Sequence, residues 1–251
     1  MGGNVGGFHQ EEKPVNQPLQ RPVAVVTGGT SGIGLAIVRE LAVSHLVYAV
    51  GRSASALAAL EQYEHVEAVS LDLLDNEAVQ KFVSRLPALD ILIHSAAISE
   101  RLTVEQATPA LWQKQFAINL FAPAELTRLA LPALRQQQGQ VIFINSGSGT
   151  LALAGHAVYS ASKFALNALA HALRTEESQY GVRVSTVSPG PTDTPMNRTS
   201  RERAGDFAAI DPLAYSTPES VAAAVRLVVN ATEDTQITDV AVRPRRDSAR
   251  R

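Results

Sequence analysis

The chain has 251 residues, of which 45% are hydrophobic and 18% are charged, and this suits a single α/β domain with one sizeable core. A formal net charge of −2 gives no electrostatic reason to expect nucleic acid or an acidic membrane surface as a partner. The absence of cysteine excludes disulfides, thiolate nucleophiles and cysteine-ligated metal sites, and it fits a reducing, cytoplasmic location.

The composition divides the chain into three parts. Residues 1–20 are rich in Gly, Gln, Asn and Pro without an apolar run, and we expect a disordered leader rather than a signal peptide. Residues 21–244 form the predicted domain. Residues 245–251 continue a cluster of arginines that begins at Arg243, and this basic tail is either a phosphate-binding arm or a solvated terminus. Residues 136–162 carry no formal charge, but polar residues interrupt them throughout, so no membrane span is predicted.

Short apolar runs alternate with amphipathic segments through the domain. The predicted strands are 23–26, 46–50, 66–71, 91–93, 141–144, 182–187 and 237–242. The predicted helices are 32–42, 55–63, 76–85, 108–137, 158–180 and 218–230. Strict alternation predicts a Rossmann-type, doubly wound, parallel seven-stranded sheet flanked by helices, with right-handed crossovers. Residues 189–216 show little periodicity and are expected to form a long loop over a site.

A glycine cluster follows the first predicted strand. Residues 27–34 read TGGTSGIG, so Gly28, Gly32 and Gly34 lie where the chain turns and the first helix begins. A dinucleotide pyrophosphate needs such a turn, because it must approach the backbone and receive N–H groups from a helix N-terminus. The sequence therefore predicts a dinucleotide site.

The end of the second strand bears on which dinucleotide binds. An acidic residue there would select NAD(H), whereas an Arg suits the 2′-phosphate of NADP(H). The chain has Arg52 and Ser53 at this point, which favours NADP(H) over NAD(H), although Arg52 could be a solvated turn residue. Asp72 follows the third strand, where it could accept the adenine amino group or cap a helix.

Tyr159 and Lys163 are four residues apart in a predicted helix, so both project from one face. A nearby ammonium favours the phenolate, and we therefore expect the pKa of Tyr159 to be lowered toward neutrality. Ser146 lies thirteen residues earlier and could hydrogen-bond a substrate oxygen beside Tyr159. This combination predicts hydride-transfer chemistry.

From residue 22 to residue 243 the chain resembles the short-chain dehydrogenases/reductases in their single-domain form. The family's TGxxxGIG, YxxxK and PG motifs appear at 27–34, at 159–163 and at Pro189-Gly190. The family serine matches Ser146 and the family asparagine matches Asn119. Where the family usually has NNAG after the fourth strand, this chain has His94-Ser95-Ala96-Ala97, and many relatives are glycine-rich where this chain ends its last strand with Arg243-Pro244.

The resemblance implies a role for each matched residue. Tyr159 is the general acid in reduction and the base in oxidation, Lys163 assists it, and Ser146 orients the substrate oxygen. Asn119 holds a water that continues the proton relay. The residues expected to bind the dinucleotide are Gly28, Thr30, Ser31, Gly32, Ile33, Gly34, Arg52, Ser53, Asp72, Leu73, Ser95, Ala96, Ala97, Tyr159, Lys163, Pro189, Gly190, Thr192 and Thr194. The family is mostly dimeric or tetrameric through its two long helices, so a homo-oligomer is expected.

Several other residues have two possible roles. His94 is expected to serve packing rather than act as a base, and His156 could line the substrate pocket with Ile98 and Leu153. Trp112 is expected to pack or to lie in an interface. Asp193, Met196 and Asn197 could contact substrate or solvent. Six scattered histidines have no ligand spacing, so no metal site is predicted.

The leading hypothesis is an NADP(H)-dependent oxidoreductase that interconverts a carbonyl and a secondary alcohol on a small-molecule substrate. One alternative is a catalytically idle relative that binds dinucleotide as a sensor or scaffold, which the presence of Asn119, Ser146, Tyr159 and Lys163 argues against. Another is a C=C reductase or epimerase on the same fold. Fold alone does not identify the substrate.

Overall fold

The computed structural model of the chain describes residues 21–203 and 205–246, so the predicted leader and residues 247–251 of the predicted tail lie outside the described residues. Within the described residues, seven parallel strands form one sheet in the order β3-β2-β1-β4-β5-β6-β7. The strands are β1 Val23–Thr27, β2 Leu46–Gly51, β3 Val66–Ser70, β4 Ile91–His94, β5 Gln140–Ile144, β6 Arg183–Pro189 and β7 Asp239–Val242. The predicted Rossmann-type sheet is confirmed.

Helices cover both faces of this sheet. They are α1 Gly32–Ala42, α2 Ala54–Ala58, α3 Asn76–Val83, α4 Pro109–Phe116, α5 Ala122–Gln137, α6 Ala157–Glu177, α7 Pro195–Arg203 and α8 Pro218–Val229. A π-helical turn at Ala117–Phe121 joins α4 to α5. In the described part of the chain, no helix is both long enough and apolar enough to cross a membrane.

Two cores form because side chains alternate along each strand. In β1, Ala24 and Val26 face α1 and α8, whereas Val25 faces the side that α3, α5 and α6 cover. All residues of β1, β4 and β5 are buried, the pattern of strands covered on both faces, while the edge strands β3 and β7 are partly exposed. Burying each large aliphatic side chain contributes roughly 1.5–3 kcal/mol, so these two layers hold the sheet rigid beneath its carboxyl edge.

The structure corrects three predicted elements. The predicted helix 108–137 is interrupted by the π-helical turn, and predicted helix 55–63 is helical only over α2, after which Leu60 is buried in a turn. The segment 189–216, expected to be irregular, contains α7. Two of its arginines pair with acidic residues outside the helix, Arg198 with Asp193 and Arg201 with Asp206. The sequence of α7 is mostly polar, so no apolar stripe predicted a helix there.

The strand order reverses between β1 and β4. From β1 the chain proceeds outward to β2 and β3 and then returns to β4 on the other side of β1. Loops that leave these two strands at their carboxyl ends therefore diverge and open a crevice, which is where open α/β sheets bind ligands. The loops involved are the glycine cluster after β1 and the segment from Ser95 to Ile98 after β4.

Candidate active site

A cleft of about 660 Å³ opens at this edge of the sheet, between the loops that follow β1, β2 and β4 on one side and α6 and the start of α7 on the other. Most of the residues predicted to bind a dinucleotide line it. They are Gly28, Thr30, Ser31, Gly32, Ile33, Gly34, Arg52, Ser53, Asp72, Leu73, Ser95, Ala96, Ala97, Tyr159, Lys163 and Thr194. Pro189, Gly190 and Thr192 do not line it.

Close backbone approaches shape the floor of the cleft. Gly28 has φ +66, and a Cβ on it would lie 2.9 Å from the backbone nitrogen of Ala96. A Cβ on Gly34 would lie 2.1 Å from the carbonyl oxygen of Gly28, so only glycine lets α1 start against the loop. The N-terminus of α1 therefore faces the cleft with its amide groups, as a pyrophosphate site requires.

Thr27 joins the two loops that form the crevice. Its Oγ1 donates to the carbonyl of Ile93 at 3.3 Å and accepts from the N–H groups of Ser95 at 3.1 Å and Ala96 at 3.2 Å. The side chain is buried, so these bonds are shielded from water. The segment that replaces the family's NNAG is thus fixed against β1 by a threonine rather than by its own side chains.

Arg52 is exposed at the end of β2 and lines the cleft. Ser53 beside it caps α2, its Oγ accepting from the N–H of Ala56 at 3.4 Å. Asp72 also lines the cleft and accepts from the N–H of Leu74 at 3.0 Å, while Asp75 is the residue that caps α3. The helix-capping alternative for Asp72 is therefore wrong.

Lys163 lies in the first turns of α6 and is only 2% exposed. Its Nζ donates to the carbonyl of Ile144, at the end of β5, at 3.0 Å. Burial lowers the pKa of the Lys163 ammonium to about 8, because a charged group is less stable away from water. This lysine can therefore change its protonation state near neutral pH.

Tyr159 lines the cleft, and Ser146, which does not line it, lies within hydrogen-bond reach of the Tyr159 phenol. Burial raises the pKa of the Tyr159 phenol above its ordinary value, and a hydrogen bond with the Ser146 hydroxyl opposes that rise. The expectation that Lys163 lowers this pKa toward neutrality is therefore wrong for the protein alone, since its ammonium lies 5.8 Å from the Tyr159 ring centroid. Ser146 Oγ accepts from the N–H of Ser148 at 3.1 Å, which leaves its own hydrogen for donation.

Asn119 lies in the π-helical turn and is 1% exposed. Its Oδ1 accepts from the N–H of Ile98 at 2.9 Å, and its Nδ2 donates to the Ile98 carbonyl at 2.9 Å and to Ser162 Oγ at 3.0 Å. Ser162 Oγ in turn donates to the carbonyl of Tyr159 at 2.7 Å. Asn119 thus connects the loop after β4 with the helical turn that carries Tyr159. π-Helical turns are frequent at functional sites.

The residues predicted to flank a nicotinamide occupy the loop after β6. Thr194 lines the cleft, and its Oγ1 accepts from the N–H of Asn197 at 3.2 Å. Gly190 donates from its N–H to the Val242 carbonyl at 2.7 Å, and Thr192 Oγ1 donates to the Gly190 carbonyl at 3.0 Å. These two residues shape the loop from behind rather than line the cleft.

Arg243, at the start of the predicted basic cluster, is anchored beside the same loop. Its Nη1 donates to the carbonyl of Ser188, and a Cβ on Gly190 would lie 3.0 Å from its Cδ. Arg246 donates from its backbone N–H to the Leu213 carbonyl and forms an ion pair with Asp211. Arg246 thus contacts the domain although its side chain is exposed, and the role of the predicted basic tail stays a prediction.

His94 is buried, stacks on Phe143 and bonds to Thr127 Oγ1 at 2.8 Å. Burial lowers its pKa to about 3, so it packs as a neutral ring, as predicted. His156 accepts on Nε2 from Arg101 at 3.3 Å. The pKa of His156 is lowered, mainly by burial and to a smaller extent by the nearby charge of Arg101. A hydrogen bond with the Ala154 carbonyl opposes this change.

A second groove of about 360 Å³ adjoins the cleft, between the loop after β4 and α7. Ala97, Ile98, Pro195 and Met196 line both spaces. Of the residues predicted to form a substrate pocket, Ile98 is therefore in place, whereas Leu153 and His156 line neither space. Asp193 forms an ion pair with Arg198 at 2.7 Å and is thus committed to the protein.

Sequence reasoning missed several residues of the site. Ile118, Ile144 and Asn145 line the cleft, and Asn167 bonds to Asn145 behind it. Only the position of Asn145, directly before Ser146, could have indicated from the sequence that it lies at the site. Asn167 lies one turn after Lys163 on α6, which gave no indication that it contacts the loop after β5.

Known proteins resemble this chain over most of its length. The family model described as short chain dehydrogenase matches residues 22–205. A probable short-chain type dehydrogenase/reductase, VdlC of Helicobacter pylori, is 34% identical over 186 residues, covering 72% of this chain and 68% of the relative. The closed form of a serine dehydrogenase complexed with NADP+ has a TM-score of 0.79 at 26% identity, covering 88% of this chain and 94% of that chain. A metagenomic short-chain oxidoreductase in complex with NADP has a TM-score of 0.74 at 31% identity, covering 90% of this chain and 98% of that chain.

Proposed function

Because the chain belongs to the short-chain dehydrogenase family and is an oxidoreductase acting on CH–OH and C=O groups, we propose that it interconverts a carbonyl and a secondary alcohol with NADP(H). The observation that carries the proposal is the convergence of Ser146, Tyr159 and Lys163 beside a cleft that begins at a helix N-terminus. One end of the cleft suits a phosphate and the other suits proton transfer.

The fit of a dinucleotide rests on the shape and donors of the cleft. The missing side chains at Gly28 and Gly34 leave the backbone amides at the start of α1 accessible, and the volume of about 660 Å³ lies within the usual range of cofactor pockets. Arg52 at the far end would pair bidentately with a 2′-phosphate, with the Ser53 hydroxyl beside it. Two solved relatives are complexes with NADP, which supports this choice. When bound, the dinucleotide supplies or accepts the hydride.

The residues of the chain supply orientation and the proton. In reduction, Ser146 donates a hydrogen bond to the substrate oxygen, and Tyr159 delivers the proton that turns this oxygen into a hydroxyl. The raised pKa of Tyr159 keeps the phenol protonated at neutral pH, which is the form an acid needs. In oxidation the same phenol, once deprotonated, accepts the proton of the alcohol.

In this proposal Lys163 passes the proton between Tyr159 and a water that Asn119 holds. The lysine, with a pKa of about 8, exchanges protons readily near neutrality. Both hydrogens of Asn119 Nδ2 are donated within the protein, so a water in the relay would bind to its oxygen atoms. The π-helical turn holds the asparagine in this orientation.

The proposal is tested by fluorescence titration with NADPH and NADH, followed by turnover of a panel of ketones, aldehydes and diketones with product analysis. Tyr159→Phe should retain NADPH binding and lose carbonyl turnover by at least about 10²-fold. Tyr180→Phe, at an exposed tyrosine after α6, is the matched control and should keep full activity. Binding without turnover of any compound would favour the idle binder, and saturated C=C or epimerised products would favour the other alternative.

We also infer that the protein acts as a homodimer or homotetramer. Phe121 and Phe164, in the π-helical turn and on α6, are 59% and 45% exposed, and an interface through these helices would bury both side chains. Light scattering on Phe164→Glu should show a smaller species than the wild type. A cytosolic location remains the prediction made from the cysteine-free composition.

A further inference from the structure

Two asparagines tie the loop that carries Ser146 to the helix that carries Tyr159 and Lys163. Asn145 is the residue after β5 and is 4% exposed. Its Nδ2 donates to the carbonyl of Lys163 at 3.2 Å and to Oδ1 of Asn167. Both hydrogens of the Asn145 amide group are therefore donated to α6.

The second asparagine returns the connection to the loop. Asn167 Nδ2 donates to the carbonyl of Gly149 at 2.9 Å. Gly149 ends the 3-10 turn Gly147–Gly149, and Ser146 caps the start of that turn. Ser146 is thus held between two anchored positions, Asn145 on one side and Gly149 on the other, and both anchors lead to the same turn of α6.

We propose that Asn145 and Asn167 form an amide clamp that sets the position of Ser146 relative to Tyr159, and that they are positioning residues for the reaction. This inference rests on the proposed function. The amide clamp goes beyond the proposed function because neither asparagine belongs to the motifs that identified Asn119, Ser146, Tyr159 and Lys163.

Packing around the amide clamp is tight. A Cβ on Gly149 would lie 2.9 Å from Asn145 Oδ1 and 3.1 Å from Asn167 Nδ2. The glycine therefore makes room for the two amides, and they have no space to adopt another arrangement while the loop stays in place. Close packing of this kind transmits a displacement of one group directly to its neighbours.

The energetics favour a positioning role over a stabilising one. Asn145 Oδ1 is buried and has no hydrogen-bond partner among the residues that the structure describes. A buried acceptor without a partner costs roughly 1–3 kcal/mol, which offsets most of what the three bonds of the amide clamp contribute. Satisfied polar bonds between two elements still fix one relative orientation, which apolar contacts of the same area would not.

Proton transfer depends on this orientation. Ser146 bonds to the Tyr159 phenol, and a misplacement of about 1 Å can cost about 10²-fold in rate. The Ser146 hydroxyl lowers the pKa of the phenol against the effect of burial, so a shift of the loop would remove this contact. Loss of the Ser146 bond would raise the pKa of Tyr159 further.

A double-mutant cycle tests the amide clamp in the full-length protein. Asn167→Leu, which keeps the branched shape of the side chain and removes its hydrogen bonds, Asn145→Ala and the double variant are compared with Asn230→Ala, an asparagine at the end of α8 remote from the cleft. Each single variant should lower kcat by roughly 10–100-fold, and the double variant should lose no more than the worse single one. Asn167→Leu, at a residue that does not line the cleft, should also leave KM and NADPH affinity within about twofold. If Asn145→Ala fails to fold, Gly149→Ala replaces it, because the added methyl group would displace both amides. This variant should show the same loss of kcat.

A second readout separates this inference from the proposed function. The phenol pKa of Tyr159 is followed by NMR on protein labelled at tyrosine Cζ, with Tyr159→Phe for assignment. It should rise in Asn167→Leu to the value found in Ser146→Ala, whether or not a substrate is known. Unchanged kcat and phenol pKa, additive losses in the double variant, or a joint collapse of thermal stability and NADPH affinity would each overturn the positioning role. Absence of carbonyl turnover in the wild type would refute the proposed function alone.

Discussion

The ammonium of Lys163 lies 5.8 Å from the ring centroid of Tyr159 and donates to the carbonyl of Ile144. It is therefore buried beside a neutral phenol rather than paired with an anion. Burial lowers its pKa from 10.5 to about 8, so the folded chain holds this proton less tightly than the unfolded chain does. The folded protein therefore loses stability as the pH falls from about 10.5 to 8. This loss, on the order of 3 kcal/mol, persists at every lower pH.

Lys163→Met should therefore stabilise the protein at pH 7 while abolishing turnover. The gain is reduced by the Ile144 carbonyl, which loses its donor at a cost of roughly 1–3 kcal/mol. We expect a net rise in melting temperature of about 2–4 °C, which shrinks as the pH rises above 8. Calorimetry at pH 7 and at about pH 10 checks this, and a lower melting temperature of the variant at pH 7 would contradict it.

The pH dependence of turnover should differ between the two directions. Because burial raises the pKa of Tyr159, the phenol is protonated throughout the neutral range, and reduction should change little between about pH 6 and pH 8. Oxidation needs the phenolate, so its rate should climb with pH and still be rising at about pH 9. Initial rates in both directions decide the point. A plateau of oxidation near neutrality would mean that the phenol pKa is lowered in the working enzyme.

Removing the Arg52 guanidinium should weaken binding of one dinucleotide only. Arg52→Ala should raise the Kd for NADPH by about 10–100-fold, as expected for a charge-assisted hydrogen bond of roughly 1.5–3 kcal/mol, and leave the Kd for NADH unchanged. Arg85→Ala, at an exposed arginine outside the cleft, is the control. Equal weakening toward both dinucleotides would show that Arg52 does not read the 2′-phosphate.

His94 should make the fold sensitive to mild acid. Its pKa is lowered to about 3 by burial, so between pH 6.5 and 3 the unfolded chain binds a proton that the folded chain does not. Stability should fall as the pH drops through this window, by at most about 1.4 kcal/mol per pH unit from this residue. In His94→Gln, whose amide nitrogen reaches the position of Nε2 and can bond to Thr127, urea unfolding at several pH values should show a shallower decline. His171→Asn, at an exposed histidine on α6, should show the wild-type slope.

Local patterns in the sequence were enough to predict the sheet and the main site. The glycine cluster ends β1 and starts α1 at Gly32, because a strand that turns into a helix with so little room needs glycine. The four-residue spacing of Tyr159 and Lys163 likewise predicted that both side chains project from one face of α6. These features depend on residues close together in the chain, and such features are the ones that a sequence encodes most directly.

Other features depend on contacts between distant residues and could not be predicted. The sign of the pKa shift of Tyr159 follows from how deeply the folded chain buries it, which a four-residue spacing does not reveal. α7 is held by ion pairs such as Arg201 with Asp206 instead of an apolar stripe. The contact of Asn145 with Asn167 joins residues that are 22 positions apart.

Because of the π-helical turn at Ala117–Phe121, the site is sensitive to the number of residues between α4 and α5. Such a turn holds one residue more than an α-helical ladder requires. Deleting a single residue there would let an unbroken α-helix form, so α4 and α5 would keep their relative register and only the wide turn would be lost. The side chain of Asn119 would then leave the Ile98 backbone, even though every residue that contacts substrate was still present. A shortened homologue or designed variant of this helix would thus keep its helicity and the register of its ends but lose the placement of Asn119.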